Sequence, residues 1–351
     1  MSATSDDSIN HSPKSPTILT IDPSMVTIAA LEVAGRIIRE GGLVAFPTET
    51  VYGLGANALD SSAVNRIFTA KGRPAFNPII VHVLDLTGAS TLAAEVPDVA
   101  QELAEAFWPG PLTLVMRRRA LVPDAVTAGL DTVGVRAPAH PVARALLAAA
   151  QVPIAAPSAN RYTRLSPTTA AHVISQLGER VDMVIDGGES SVGIESTVVD
   201  VSGDCPILLR PGGLSRATIE KVVGPIAVVE QNPVGDAPRP APGMVERHYA
   251  PNARIVFLDA GDGDEALRQL QSRREHGERV GVVAYNRAIP DGEVTCRLPA
   301  DAAGYAKRLY AALHTLDDAS CSTILIERVP SGSEWDAVAD RLRRAASQPM
   351  K

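Results

Sequence analysis

Hydrophobic and polar positions along the chain follow two periods, which predict both helices and buried strands. Four apolar residues between positions 28 and 38 stand near helical spacing, with Ser24 in front and Gly41 behind, and predict an amphipathic helix capped by the serine. The apolar run 43–46 predicts a buried strand, and a second helix is expected from Ser62. The same patterns predict further strands at 79–84, 112–116, 133–136, 154–156, 183–185, 197–201 and 207–209, and helices at 97–107, 141–150, 168–177 and 216–222.

The order of these elements predicts a mixed α/β fold. Some strands follow one another directly and others are separated by helices, which favours a mixed sheet flanked by helices over a strictly alternating parallel sheet. In the last hundred residues the two kinds of element alternate, and this predicts a small parallel α/β domain. Its strands are expected at 254–258, 280–284 and 323–327, and its helices near 264–274, 301–316 and 334–346.

A change in composition separates the two predicted domains. Residues 232–251 contain five prolines and two glycines in twenty positions, which is typical of a linker. We therefore expect four segments along the chain. They are a disordered polar tail over 1–20, a larger domain over 21–230, a proline-rich linker over 231–252 and a Rossmann-like domain over 253–351.

Composition excludes several classes of protein. Of the 351 residues, 45% are hydrophobic, so the chain can build a core. The 40 acidic and 33 basic side chains give a net charge of −7, so the protein is not expected to coat nucleic acid through bulk charge. The longest apolar run, 145–150, is far too short to cross a bilayer, and a cytoplasmic location is expected. Three widely spaced cysteines exclude a disulfide framework or a cysteine-rich zinc module, and the seven histidines show no metal-ligand spacing.

One glycine motif invites a dinucleotide-binding interpretation. Gly53, Gly55 and Ala58 fit G-x-G-x-x-[GA] after a predicted strand. The acidic residue that would bind the ribose is missing, because position 78 is proline. A nicotinamide-dependent oxidoreductase is therefore disfavoured, and no Walker A motif occurs in the chain.

A pair of cations offers a second candidate for chemistry. Lys71 and Arg73 stand one residue apart in KGRP, and in a loop they would converge on one anion. The alternative is a solvated helix C-terminus whose cations complement the helix dipole. On the next predicted strand, His82 is either a buried core histidine or the partner of a hydroxyl group in a pocket.

Polar residues at strand ends supply the remaining candidates. Ser158 and Asn160 lie in AAPSAN, where small residues let a ligand approach the backbone, although an ordinary turn has the same spacing. Arg136 ends one apolar strand, Arg210 ends another, and Glu195–Thr197 precede a third. A buried arginine is costly unless it meets an anion or a carboxylate. No Ser/His/Asp order or activated cysteine occurs, so covalent catalysis is not expected.

Eight motifs, taken in their order and spacing, resemble the YrdC-like family, and specifically its long, two-domain threonylcarbamoyl-AMP synthases. They are PTETVYGLG at 47–55, KGRP at 71–74, PLTLV at 111–115, TAGLDTVGVRAPAHP at 127–141, PIAAPSAN at 153–160, IESTVVD at 194–200, LLRPGG at 208–213 and APGMVERHYAP at 241–251. The region from 253 onward resembles the smaller domain of that family only in its pattern.

The resemblance implies a nucleotidyltransferase with a twisted, concave mixed sheet in its larger domain. The implied reaction converts L-threonine, ATP and bicarbonate or carbon dioxide into threonylcarbamoyl-AMP and pyrophosphate. The product supplies downstream enzymes that build threonylcarbamoyladenosine in tRNA, while direct contact with tRNA stays open. The resemblance further implies Mg²⁺ held by the ATP phosphates, with no metal ligand from the protein and no organic cofactor.

The family's ligand positions fall on matching residues of this chain. Lys71 and Arg73 are the implied catalytic residues and also contact ATP. On the threonine side the implied residues are Thr48, Thr50, His82, Arg136 and Ser196, with no distinction between the two threonines. On the ATP side they are Asn77, Thr132, Ser158, Asn160, Ser166, Arg210 and Tyr249.

The chemistry of these side chains agrees with such a reaction. Arg136 can hold the threonine carboxylate, and His82 can bond the threonine hydroxyl. Our mechanistic hypothesis is that the neutral amine captures carbon dioxide, and that the carbamate oxygen displaces pyrophosphate at the α-phosphorus, with the ATP-side cations stabilising charge. No general base is evident. Tyr249 is a candidate lid, with a passive tether as the alternative, and the rival function is an RNA-binding module of the same fold without turnover.

Overall fold

Two separate β-sheets organise the part of the chain that the structure describes. This computed structural model describes residues 15–74, 76–229, 248–286 and 288–346. The first sheet contains β1 (Thr17–Thr20), β2 (Val44–Phe46), β3 (Gly53–Asn57), β4 (Val81–His82), β5 (Leu112–Arg117), β6 (Thr132–Arg136), β7 (Ile154–Ala155), β8 (Met183–Asp186), β9 (Thr197–Asp200), β10 (Ile207–Arg210) and β11 (Ala227–Val228). The second contains β12 (Arg254–Leu258), β13 (Val280–Ala284), β14 (Val294–Arg297) and β15 (Thr323–Glu327).

The strand orders confirm the mixed α/β class. The first sheet runs β1-β8-β2-β3-β7-β4-β6-β5-β9-β10-β11 and combines parallel pairs such as β4 with β6 and antiparallel pairs such as β5 with β6. The second sheet runs β12-β15-β13-β14, and all of its pairs are parallel. Crossover helices over Gly263–Glu275 and Ala302–Asp318 connect β12 to β13 and β14 to β15, whereas no helix lies between β13 and β14 in the described residues.

Helices cover both sheets. The larger domain holds α1 (Glu32–Arg39), α2 (Ser61–Lys71), α3 (Leu86–Leu92), α4 (Asp98–Phe107), α5 (Asp124–Thr127), α6 (Pro141–Ala150), α7 (Ala170–Leu177) and α8 (Arg216–Val223), with 3₁₀ turns at Ala29–Leu31 and Gly178–Arg180. The second domain holds α9 (Gly263–Glu275), α10 (Ala302–Asp318) and α11 (Asp336–Ala346). Helices α1 and α6 pack together over one apolar cluster that includes Phe46 and Ile185, and a larger cluster includes α2, α4 and α7.

The start of the chain differs from the prediction. Ser24 caps no helix, because its side chain and amide bond Asp22 instead, and α1 begins only at Glu32, behind a 3₁₀ turn. The second helix begins at Ser61, one residue before the predicted start, because Asp60 accepts bonds from the first amides. The predicted disordered tail 1–20 is wrong at its end, since Thr17–Thr20 form β1. The rest of that tail, up to residue 14, lies outside the described residues.

The two domains share one apolar core. Val51, Leu165 and Ile194 of the larger domain belong to the same buried cluster as Tyr310 and Leu313 of α10. Tyr249, from the end of the predicted linker, lies in that cluster too. Most of the linker, up to residue 247, lies outside the described residues, and the domain boundaries themselves stay a prediction. The second domain therefore packs directly against the loops that follow β2 and precede β9.

Candidate active site

Most of the predicted site residues converge on one pocket between the first sheet and the end of the predicted linker. Nine of the fourteen line it, and they are Thr48, Thr50, Arg73, His82, Arg136, Ser158, Ser196, Arg210 and Tyr249. Glu195 and His248 line the same pocket. Strand register explains part of this convergence, because β4 and β6 are parallel neighbours with His82 directly beside Arg136. Ser158 likewise forms an isolated bridge with Gly53 at the start of β3.

A relay of hydrogen bonds joins the two threonines to Arg136. The guanidinium donates to the Thr50 hydroxyl over 2.8 Å, the two threonine hydroxyls lie 2.8 Å apart, and Thr48 donates to the Val51 carbonyl over 2.6 Å. Arg136 also forms a buried ion pair with Glu49 at 2.5 Å and donates to the Gly110 carbonyl. Both threonines therefore belong to one unit, and the choice between them as ligands stays a prediction.

Glu49 is a site residue that sequence reasoning missed. Burial opposes its ionisation, but the Arg136 charge and the attached hydrogen bonds outweigh burial and hold the pKa of Glu49 below its ordinary value. Its second oxygen accepts from the Ala139 amide at 3.1 Å. The carboxylate thus fixes Arg136 in place. A charged residue three positions after a buried strand, between two threonines, was the available signal.

His82 is buried and neutral. Burial, reinforced by the positive charge of Arg136, lowers the pKa of His82 to about 3. Its Nδ1 atom is buried without a hydrogen-bond partner, and its ring packs edge-on against Phe46. A neutral imidazole with an unpaired nitrogen in a pocket can bond a hydroxyl group of a ligand.

The positions of Lys71 and Arg73 agree only in part with each of the two interpretations of the KGRP motif, an anion-binding loop and a solvated helix C-terminus. Lys71 ends α2, so it does lie at a helix C-terminus, but both side chains are buried and not solvated. Gly72 follows in the left-handed conformation with φ of 62°, which turns the chain and lets both cations point inward. Burial, and then the charge of Arg73, hold the pKa of Lys71 well below its ordinary value, and burial lowers the pKa of Arg73 to about 10.

The partners of these two cations are main-chain carbonyls. Lys71 Nζ donates to the carbonyls of Ser158 and Asn160, and Arg73 donates to the Pro78 carbonyl at 2.9 Å. Within the described ranges, no salt bridge joins either cation to a carboxylate. Two buried positive groups of this kind are stabilised by an incoming anion.

Five predicted ATP-side residues lie outside the pocket lining, each with its own contacts. Lys71 donates to the Asn160 carbonyl, and both residues adjoin Ser158, which does line the pocket. Asn77 donates to the Tyr162 hydroxyl at 3.2 Å, and Ser166 donates to Glu195 at 2.6 Å. Thr132 lines a separate small recess with Thr113, Ile80 and Gly134. Ile80 also lines the main pocket, so the recess adjoins it.

Arg210 lies in the wall of the pocket, next to Ser196. Its Nη2 donates to the Ser196 carbonyl at 2.9 Å and to the Ser196 hydroxyl at 3.2 Å. That hydroxyl lies 2.8 Å from Thr113 Oγ1. Gly212 allows the chain after β10 to lie against this segment, since a Cβ atom there would come within 2.3 Å of the Ser196 carbonyl carbon. The two strand ends are thus tightly joined.

Unpaired buried polar atoms mark the pocket as a ligand site. Arg73 Nε, His82 Nδ1, His248 Nδ1 and Asn160 Oδ1 are all buried without a hydrogen-bond partner. Such atoms are rare because each costs free energy. Three of these atoms, on Arg73, His82 and His248, belong to residues that line the pocket and indicate groups arranged to meet a polar ligand.

Tyr249, the predicted lid, is part of a packed wall. It is buried with a positive φ of 60°, and its ring lies 4.0 Å from the His248 ring between centroids. The Arg341 guanidinium of α11 lies 5.0 Å from the Tyr249 ring centroid. Its place in the pocket lining agrees with a nucleotide contact, and its role as a lid stays a prediction.

Two histidines stack across the domain boundary beside this wall. His172 of α7 and His314 of α10 lie 3.8 Å apart between ring centroids, and His314 Nε2 donates to the Ser166 carbonyl at 3.1 Å. Burial lowers the pKa of His314 to about 4, and burial together with its neighbour lowers the pKa of His172 to about 4. Arg164 faces His314, and Glu189 and Asp318 face His172.

We expect the protein to lose stability as pH falls from about 6.5 to about 4. An unfolded histidine has a pKa of about 6.5, so in this window the unfolded chain binds more protons than the folded one, and the shift of His314 alone is worth at most about 3 kcal/mol. Thermal unfolding measured from pH 7.5 to 4 checks this. His314→Gln should flatten the dependence and exposed His276→Gln should not; a constant melting temperature over this range would contradict the expectation.

No group of three or more His, Cys, Asp or Glu side chains in the described ranges is placed to hold a metal ion. No helix in the same ranges is long and apolar enough to cross a membrane. Glu195, which lines the pocket, is ion-paired with Arg341, and Glu49 is ion-paired with the lining residue Arg136.

Comparisons with known proteins agree on both halves of the chain. Residues 36–212 match the Sua5, YciO and YrdC family model, described as telomere recombination, and residues 214–347 match the model of the threonylcarbamoyl-AMP synthase C-terminal domain. The threonylcarbamoyl-AMP synthase of Pyrococcus abyssi is 45% identical over 90% of this chain and 94% of its own length. That of Bacillus subtilis is 41% identical over 93% and 94%. The crystal structure of Pyrococcus abyssi Sua5 complexed with L-threonine superposes with a TM-score of 0.87 at 43% identity, over 94% of this chain and 97% of that one.

Proposed function

We propose how the pocket is divided between two substrates, on the premise that the chain belongs to the two-domain threonylcarbamoyl-AMP synthase family and is a nucleotidyltransferase. L-threonine lies at the end formed by β4 and β6, and ATP lies at the end formed by the residues after α2 and β10. The observation that carries this division is the separation of the buried cations into two sets. Arg136 is held by Glu49, whereas Lys71 and Arg73 are bonded to main-chain carbonyls.

The threonine end suits an amino acid with a hydroxyl group. Arg136 uses three of its five N–H donors in contacts with Thr50, Glu49 and Gly110, which leaves donors for a carboxylate. The unpaired Nδ1 of His82 is available to the threonine hydroxyl. A relative of this chain has been crystallised with L-threonine, which supports the assignment.

The ATP end suits a polyanion. Lys71, Arg73 and Arg210 surround it, and a triphosphate brings the negative charge that favours the protonated form of Lys71. The Ser158 hydroxyl, the Asn160 Oδ1 atom and the Thr132 recess are then left for the ribose and base. Mg²⁺, when present, would take its oxygen ligands from the phosphates and add to their neutralisation, because both carboxylates at the pocket already bind arginines.

The two ends together support an in-line displacement. The neutral amine of threonine adds to carbon dioxide and forms an N–C bond with loss of a proton to solvent. An oxygen of the resulting carbamate then bonds the α-phosphorus as the bond to pyrophosphate breaks. The protein positions the two reactants and stabilises negative charge, which are the main contributions that a phosphoryl-transfer site makes. The product would feed a cytoplasmic pathway of tRNA modification through separate transfer enzymes.

A direct assay tests the function. Purified protein, labelled bicarbonate, Mg-ATP and L-threonine are expected to give pyrophosphate and a labelled carbamoyl adenylate in equal amounts, and omission of threonine should stop both. If folded protein yields neither, the assignment is overturned. Strong, salt-sensitive tRNA binding without ATP turnover would instead support the RNA-binding module.

A further inference from the structure

One arginine of the second domain reaches the ATP end of the pocket wall. Arg341 of α11 has no exposed side-chain surface. Its Nε donates to Glu195 at 2.7 Å, its Nη2 donates to the Pro211 carbonyl at 3.1 Å, and its Cζ lies 5.0 Å from the Tyr249 ring centroid. A single guanidinium therefore contacts three separate segments of the larger domain and linker end.

Two of these segments hold a residue assigned to the ATP end, Arg210 and Tyr249, and the third holds Ser196, which is assigned to the threonine side and bonds Arg210. Glu195 precedes Ser196, whose carbonyl accepts two bonds from Arg210, and Pro211 directly follows Arg210. Tyr249 lines the pocket itself. Arg341 bonds Glu195, the neighbour of Ser196, and Pro211, the neighbour of Arg210. The position of Arg341 therefore sets the distance between the start of β9 and the end of β10, where Arg210 bonds Ser196.

The charge of Arg341 also balances a buried carboxylate. Glu195 accepts further bonds from Ser166 at 2.6 Å and from the Tyr310 hydroxyl at 3.2 Å. Burial opposes its ionisation, but the Arg341 and Arg210 charges outweigh burial and hold the pKa of Glu195 below its ordinary value. Without Arg341, a buried negative charge would lie in the pocket wall where a triphosphate is expected.

We propose that Arg341 is a positioning residue through which the second domain holds the ATP end of the pocket in its binding geometry. This inference rests on the proposed division of the pocket. The threonine end is anchored separately, by Glu49 and Arg136 within the larger domain. The second domain should therefore influence ATP binding much more than threonine binding.

Arg341→Met is the principal test. We expect KM for ATP to rise by about 10- to 100-fold, as when other residues that orient ligand-binding groups are lost. The Kd for L-threonine, measured by calorimetry in the absence of ATP, should stay within about twofold. Adding Glu195→Gln to Arg341→Met removes the unbalanced charge and should recover at least about fivefold in KM for ATP. A purely structural role predicts instead that threonine binding weakens together with ATP binding.

Two control variants separate positioning from loss of stability. Arg268→Met makes the same change on α9 of the second domain, at a side chain that is 66% exposed, and KM for ATP should stay within about twofold. Leu270→Ala removes a buried side chain from another apolar cluster of the second domain. It should lower the melting temperature and leave KM for ATP unchanged.

Two results would contradict a positioning role of Arg341. Equal losses of ATP and threonine binding in Arg341→Met, or a rise in KM for ATP in Leu270→Ala, would overturn it. If Arg341→Met does not fold, Arg341→Lys carries the same test, because it keeps the charge and loses the three-way contact. Unsubstituted protein that makes no pyrophosphate would overturn the proposed function instead, which is a distinct result.

Discussion

Replacing Lys71 by Met is expected to lower kcat/KM for ATP by about 10³-fold and to leave L-threonine binding nearly unchanged. The ammonium group is held by the main-chain carbonyls of Ser158 and Asn160, near Arg73, at the proposed ATP end. Its charge is therefore placed to stabilise the phosphates as negative charge develops. The threonine end has its own cation, Arg136, so threonine affinity measured by calorimetry should change by less than about threefold.

Thermal unfolding distinguishes this loss from misfolding. Met at position 71 removes a buried charge that lies near another cation, which offsets the loss of two hydrogen bonds, so the melting temperature without ligand should change little. The increase in melting temperature that ATP produces in the unsubstituted protein should disappear. Lys221→Met, an exposed lysine in the last turn of α8, is the matched control and should behave like the unsubstituted protein. Full ATP stabilisation in Lys71→Met would place Lys71 outside the ATP site.

Local pattern was sufficient to predict much of the fold. Alternating and continuous apolar runs correspond to strands such as β5 and β10, and Pro141 and Gly72 mark helix ends because their backbone conformations favour these positions. β1 escaped prediction because a four-residue strand with three positions exposed has little burial to create a pattern. Its partner, β8, lies more than 150 residues later, and no local signal encodes that pairing.

The candidate site shows the same limit in another form. Motifs indicated which polar residues carry chemistry, and nine of those residues do line one pocket. The carboxylates that hold the arginines were not assigned, since a glutamate reads as a surface residue unless its partner is known. Arg341 lies 146 positions from Glu195, and only the packing of α11 against the larger domain brings them together. Tertiary packing alone determines such contacts.

Replacing Arg136 by Lys is expected to weaken L-threonine binding by at least about 100-fold and to leave the ATP-induced increase in melting temperature intact. The guanidinium contacts Glu49, Thr50 and the Gly110 carbonyl at once, with donors remaining for a carboxylate. Lysine keeps the positive charge that Glu49 requires, so the fold should survive, but its three donors cannot reproduce a planar fork. Calorimetry with L-threonine gives the affinity, and thermal unfolding with ATP gives the second measurement.

Arg117→Lys provides the control, because it is exposed at the end of the neighbouring strand β5 and should bind both ligands normally. The pair of variants then tests whether the pocket has two independently anchored ends. If Lys71→Met loses only ATP binding and Arg136→Lys loses only threonine binding, each substrate has its own buried cation at its own end of the pocket. If Arg136→Lys loses both ligands, the Glu49–Arg136 pair supports the whole pocket. The structural reason would be the hydrogen-bond relay from Arg136 through Thr50 and Thr48, because it ends at Val51, which packs against the second domain.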